Sequence, residues 1–321
     1  MSLVRVAVKL QRFEVAAVVI AAVLAALLSA YVAGRMNALG VSRECFQQWF
    51  HGEVDPTGGS LCFSAISPFL RLRDGPAAQL LSAISALPIA FGGILGVAAV
   101  ARELETGTAA FTWAAATSRR RWLVSRTAPI VAVLLLLTLV LSASGSLLGA
   151  ARQPWAPSLT GFAGAPVAPP VMIIGALAAY WVAVLAGLVT ARTLPAVLTA
   201  GAILVLLWAG PSMVISQWAY GEAANHVHSE PFNEFDDPGG TAFGTMSRLR
   251  GGALVHDEEA PGLAPPGADP TVWMSQNATQ VFVGVPGEGA GAWVAMVATA
   301  LGLALALSTI ATSLLIERRR V

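Results

Sequence analysis

Residues Leu80–Ala101 read LLSAISALPIAFGGILGVAAVA. No side chain in this stretch carries a charge, and its polar content is two serines, Ser82 and Ser85. A helix of this length rises roughly 33 Å at 1.5 Å per residue, enough to cross a hydrocarbon core about 30 Å thick. Backbone N–H and C=O groups in lipid must bond within their own segment, so the run is read as a transmembrane helix. Pro88 lies inside it and removes an internal hydrogen bond, which predicts a kink.

The pattern recurs on both sides of this run. Phe13–Ala33 precedes it, and Ala128–Gly149, Val171–Thr190, Leu194–Val214 and Ala292–Ile316 follow, giving six apolar runs in all. Apart from Glu14 near the start of the first, none contains a charged residue. Over the 321 residues only 12% are charged and 56% are hydrophobic. A water-soluble domain carries about a quarter charged residues, so lipid is the solvent this chain fits. The expected fold is an all-α polytopic membrane protein. A cleaved signal peptide is the other reading of the first run, which is long for a signal core and lacks a small-residue cleavage pattern around Ser29–Gly34.

Arginine placement orients the spans. With the N-terminus inside, the inner segments hold twelve basic and four acidic residues, and the outer ones seven basic and fourteen acidic. The reverse orientation would invert a strong bias, so both termini are expected in the cytoplasm. Tyr31, Trp155, Trp208 and Trp293 then fall near outer ends, where amphipathic rings anchor. The long outer segments are Gly34–Gln79 and Ile215–Gly291. The second is rich in Gly, Pro and acids and is expected to fold as a small cap with short helices. Ala150–Pro170 carries five prolines and reads as a short irregular connection.

Cys45 and Cys62 share the first outer segment. Disulfides persist outside the cytoplasm. With sixteen residues between the two cysteines, a bond would stabilise the loop by about 3 kcal/mol. Two free thiols, or a metal pair with His51, are the alternatives. His226 and His228, with Glu222 and Glu230 nearby, match no standard zinc spacing, so no metal site is expected.

Two chemistries are disfavoured by what the chain contains. A P-loop needs GxxxxGK[ST], and the only lysine, Lys9, follows Val8. Any ATP use must therefore come from a partner. Proton- and ion-coupled transporters place ionisable groups inside their spans, and these runs hold almost none. No nucleophile–base arrangement and no nucleic-acid motif stands out. Small residues recur at spacing four: Gly92 and Gly96, Gly145 and Gly149, then Ala179, Ala183 and Gly187. Such faces let helix backbones approach closely, within the chain or between subunits.

The inner segment 102–127 continues the opening stretch with Arg102-Glu103-Leu104-Glu105-Thr106-Gly107-Thr108, and passes through Phe111 and Trp113 to Ser118-Arg119-Arg120-Arg121-Trp122. Gly107 should break the helix, and Thr106 or Thr108 can cap the next one. Residues 109–117 are expected to form a short helix offering Phe111 and Trp113 to a protein partner. The arginines alone would suit anionic lipid heads.

This segment resembles the inner loop of the ABC-2 type transporter permeases, especially bacterial ones of the drug- or antibiotic-export type. The resemblance is specific over Arg102–Trp122. Elsewhere it is one of layout: a basic start, six spans, a long outer segment between spans five and six, and a basic end. It implies a plasma-membrane permease subunit of an ATP-binding-cassette exporter that pairs with a second permease, identical or homologous, and with two copies of an ATPase subunit. No cofactor is implied in this chain, since ATP and magnesium would sit in the partner. Glu103, Glu105, Gly107, Thr108, Phe111, Trp113 and Arg119 are the coupling residues it implies. It also implies an interfacial helix over residues 1–12, where Val6, Leu10 and Phe13 share one face and Arg5, Lys9 and Arg12 the other. A plain topology signal is the other reading of that stretch. The expected cargo is hydrophobic or amphipathic. A stand-alone membrane sensor or scaffold, its cap binding a ligand, is the rival reading, with a membrane-embedded enzyme or secondary transporter behind it.

Overall fold

The computed structural model describes residues 11–50, 61–108, 119–153, 162, 164–223, 227–228, 241–257, 259–287 and 289–318. Among the described residues six helices are long: α1 (Arg12–Ala38), α4 (Ala78–Glu105), α5 (Arg119–Arg152), α6 (Pro169–Thr190), α7 (Thr193–Ala223) and α9 (Gly289–Arg318). Each contains one of the apolar runs and extends it at both ends, except α6, which ends with its run at Thr190. Among the described residues, five helices are long and apolar enough to cross a membrane. In α7 the described apolar stretch is Thr193–Leu206, shorter than the span expected over Leu194–Val214.

The first outer segment is more helical than a loop. After α1, Gly40 turns the chain with φ +64°. Then α2 (Arg43–Phe50) and α3 (Leu61–Leu72) follow, and a π-helical turn over Arg73–Ala77 joins α3 to α4. Pro76 has no N–H to donate, which suits a turn whose hydrogen-bond ring is widened. The continuous helix Ser64–Glu105 has 42 residues, roughly 63 Å at the standard rise and about twice a hydrocarbon core. Pro88 sits buried within it without ending it. Phe46 of α2 meets Phe69 of α3 edge to face at 6.5 Å, and the Arg73 guanidinium lies 5.8 Å from the Phe46 ring.

The centre of the bundle is α6. Ala176, Ala179, Tyr180, Ala183 and Val184 have no exposed surface. Its small side chains let α4 come against it backbone to backbone. A Cβ on Gly92 would strike the Ala176 carbonyl, and one on Gly96 the Tyr180 carbonyl. One on Gly187 would lie 3.2 Å from the Ala101 amide nitrogen. The small-residue faces of the second and fourth spans thus meet each other inside the chain. Gly145 of α5 faces Val167 in the same way, and the Ser142 hydroxyl donates to the Val167 carbonyl at 2.8 Å. On the periphery, Ile20, Leu24, Leu27 and Leu28 of α1 and Leu303, Leu307, Ile310 and Leu314 of α9 point outward, as lipid-facing rows do.

The cap departs from expectation. In place of a set of short helices it is a four-stranded antiparallel sheet in the order β1-β4-β2-β3 with one short helix. The strands are β1 (Val227–His228), β2 (Thr241–Leu249), β3 (Leu254–His256) and β4 (Ala278–Val285), with α8 (Pro270–Asn277) running into β4. Val281, Val283 and Val285 alternate along β4 and are all buried. Period-two placement of β-branched residues is a strand pattern, and here it outweighs the Gly- and Pro-rich composition that suggested helices and turns. Val283 and Val285 pack with Phe162 and Met246, seating the sheet over the α5–α6 connection.

Candidate functional site

The residues singled out between α4 and α5 gather at one end of the bundle. There α4 stops as its sequence requires. Gly107 has φ +71° with open space around its Cα, a conformation that costs other residues about 1–2 kcal/mol. The threonines beside it bond back into α4, while the helix they are expected to cap lies outside the described residues. The Thr106 hydroxyl donates back to the Arg102 carbonyl at 2.9 Å, and the Thr108 hydroxyl reaches the Glu103 carbonyl at 3.4 Å. Both therefore add hydroxyl donors to carbonyls of the last turn of α4, where the Arg102 carbonyl also accepts from the Thr106 amide at 3.1 Å.

The two glutamates bind other helices of the same chain. Glu103 Oε1 lies 2.6 Å from the Arg126 guanidinium of α5, and the side chains are only 13% and 16% exposed. The second Glu103 oxygen is buried without a hydrogen-bond donor. Glu105 reaches across to the start of α7, where its carboxylate accepts from the Thr193 amide at 2.9 Å and from the Thr193 hydroxyl. A carboxylate at a helix N-terminus satisfies an unpaired amide and opposes the positive end of the helix dipole. The preceding turn is tight. Ala191 closes α6 with φ 52°, the single positive-φ non-glycine residue among the described ones, so Arg192 and Thr193 follow at once. A longer ion pair, Arg102 to Glu14 at 3.7 Å, joins α4 to the start of α1.

Four helices are therefore linked at one end through the last turn of α4, by Arg102, Glu103 and Glu105: α1 by Glu14, α5 by Arg126 and α7 by Thr193. Of the expected coupling residues, Glu103, Glu105, Gly107 and Thr108 are placed here. Phe111 and Trp113, with the short helix over 109–117, lie outside the described residues, as does the interfacial helix apart from Gln11 and Arg12. Arg119 opens α5, its side chain outside the described ones. Glu14, Arg126 and Thr193 were not singled out from sequence. Each lies far along the chain from its partner, and no local pattern marks it.

Beside this end a cleft of about 390 Å³ runs between α4 and α7. Its walls are apolar and small-sided, including Gly93, Val97, Val197, Gly201 and Leu204, and Glu14, Arg102 and Thr193 line it at the linked end. The residues that tie α4 to α1 and α7 are thus also the rim of the cleft.

On the other side of the bundle Cys45 is buried and held in a disulfide. The one other cysteine in the chain is Cys62, whose side chain lies outside the described ones. Among the described residues no group of three or more potential metal ligands forms, and the His226, His228, Glu222 and Glu230 side chains lie outside them. In the cap, Asp269 accepts from the Thr271 hydroxyl and amide, both at 2.8 Å, at the start of α8. The bond from the Thr271 hydroxyl, more than the one from its amide, holds this carboxyl below its ordinary range.

The profile of the family described as "ABC-2 membrane transporter related" matches residues 15–215. That stretch runs from α1 through the linked end and the cleft into α7, and stops before the sheet. No curated protein and no solved structure matches the chain.

Proposed function

The chain belongs to the ABC-2 membrane transporter related family, and on that premise we propose that it is the membrane-spanning subunit of an ATP-driven exporter in a bacterial plasma membrane. It has six spans, with α7 as the fifth and both termini inside. It pairs with a second permease, identical or homologous, and with two copies of an ATPase subunit that hold the ATP and magnesium. The segment 109–117 docks on the ATPase through Phe111 and Trp113.

The observation that carries this reading is Glu105. It leaves α4 two residues before the Gly107 break and caps α7. A force on the segment beyond Gly107 therefore reaches two helices at once, and these are the two that wall the cleft. Closure of the ATPase pair would draw the end of α4 with the N-terminus of α7, and so alter the cleft between them. Glu103–Arg126 keeps the start of α5 in step. The sign of the charge bias supports the orientation, because the linked end carries Arg102, Arg126 and Arg192.

The test is purification from the native host in mild detergent, followed by identification of what co-elutes. Wild-type chain is expected to bring down a P-loop ATPase. Trp113→Ala should lose it, as should Gly107→Pro, because proline cannot adopt φ +71°. Elution of folded wild-type chain alone, or with a signalling partner, would refute the exporter reading and favour the sensor or scaffold.

A further inference from the structure

The cleft between α4 and α7 is apolar along its length and charged at one end, and the charge is incompletely satisfied. Glu14 Oε2 is buried and has no hydrogen-bond donor. Among the described residues its other oxygen has the Arg102 guanidinium at 3.7 Å, beyond hydrogen-bond reach, and the arginine and glutamate side chains are 65% and 27% exposed. A buried carboxylate oxygen without a donor is costly, and Glu14 is among the residues that line the charged end of the cleft. The walls offer a ligand no polar partner at all, with Gly93, Val97, Val197 and Leu204 facing one another.

We propose that this cleft binds a single-chain amphiphile with a primary ammonium head, the head against Glu14 and the apolar body between α4 and α7. Charge complementarity selects the head, because the orphaned acceptor is the carboxylate and the arginine beside it is already solvated. Volume selects the body. About 390 Å³ is at the lower end of the range for small-molecule sites, roughly 300–1,000 Å³, and holds one chain where a diacyl lipid needs room for two. Glu14 is the third residue of α1, so the head would sit at inner headgroup level, within reach of a molecule already partitioned into that leaflet. The assignment rests on the permease reading for its meaning as a cargo site.

The test uses the isolated chain in neutral detergent, with no ATPase, so it succeeds or fails independently of the co-purification above. Binding of dodecylamine, dodecanol, dodecanoate and phosphatidylethanolamine is measured by native mass spectrometry. Dodecylamine is expected to bind tightest. Glu14→Gln should weaken it by about tenfold or more, the loss of a hydrogen bond to a charged group, and leave dodecanol unchanged. Gly201→Leu should weaken both, since Gly201 lines the cleft and a Cβ there meets no atom within 4 Å, leaving room for a larger side chain to occupy ligand space. Unchanged melting temperatures would establish that both variants fold. Dodecylamine binding that survives Glu14→Gln within about twofold overturns the proposal. So does dodecanoate binding equally well, which would move recognition to Arg102, or phosphatidylethanolamine binding as tightly. Failure of every ligand to bind wild-type protein would mean that a second copy or another partner closes the cleft, and would overturn it too.

Discussion

Replacing Arg126 with alanine leaves Glu103 facing the interior alone. At 2.6 Å, two unit charges attract by about 6 kcal/mol at an effective dielectric of about 20. Taking both ions out of water costs several kcal/mol each, so the intact pair contributes little net stability. Removal of one partner is different. It leaves a carboxylate that is 13% exposed, with one oxygen already lacking a donor, and stranded buried charges cost about 3–5 kcal/mol. Arg126→Met and Glu103→Met, like the alanine replacements, are each expected to cost about 3 kcal/mol, toward the lower end because some water reaches both groups. The double replacement Glu103→Met/Arg126→Met should return to within about 1 kcal/mol of wild type, since methionines fill similar volume without charge. The assay is denaturant unfolding of the four proteins in neutral detergent, read as a double-mutant cycle. Single variants costing under about 1 kcal/mol with additive effects, the behaviour of exposed surface pairs, would refute the claim that this pair is a buried fastening.

Other outcomes follow from the same geometry. Gly96→Val should prevent close approach of α4 and α6, because its Cβ would strike the Tyr180 carbonyl, at a cost of about 3 kcal/mol. Gly201→Ala, with no neighbour within 4 Å, should be neutral or stabilise by roughly 0.5–1 kcal/mol through helix propensity, and thermal unfolding of both separates packing from propensity. Reduction of the Cys45 disulfide, with Cys62 as partner, should cost about 3 kcal/mol in the chain-entropy account. Thiol labelling of native membranes without reductant would contradict the bond. In the cap, the depressed Asp269 carboxyl contributes stability above the ordinary value of 3.8 and loses it as pH falls through the lower folded-state value. Hydrogen exchange in α8 should therefore stay slow through mildly acidic pH and quicken only below 3.8, and quickening well above that point would show that Asp269 is not the cap.

Much of this protein is local in origin and was legible in order along the chain. A run such as Leu80–Ala101 must be a helix in lipid wherever it is placed, because its backbone has no other hydrogen-bond partners. Gly107 ends α4 by its own conformational freedom, and the pattern around Arg102–Trp122 carries the family resemblance without any tertiary contact. The cap was misread because a Gly- and Pro-rich composition drew attention from the alternation of Val281, Val283 and Val285, which only pairing with β2 turns into a buried face. The candidate site itself was half legible. Glu103 and Glu105 stood out, yet their partners Arg126 and Thr193 could not. A side chain's partner across the bundle depends on which helices pack together, and that depends on where glycines on α4 meet small residues on α6. The sequence by itself determined the helices, their breaks and the sign of each end. Tertiary structure alone decided that Glu105 caps α7, that Glu14 keeps an unpaired oxygen, and that a cleft opens between them, because each is a distance between residues far apart along the chain.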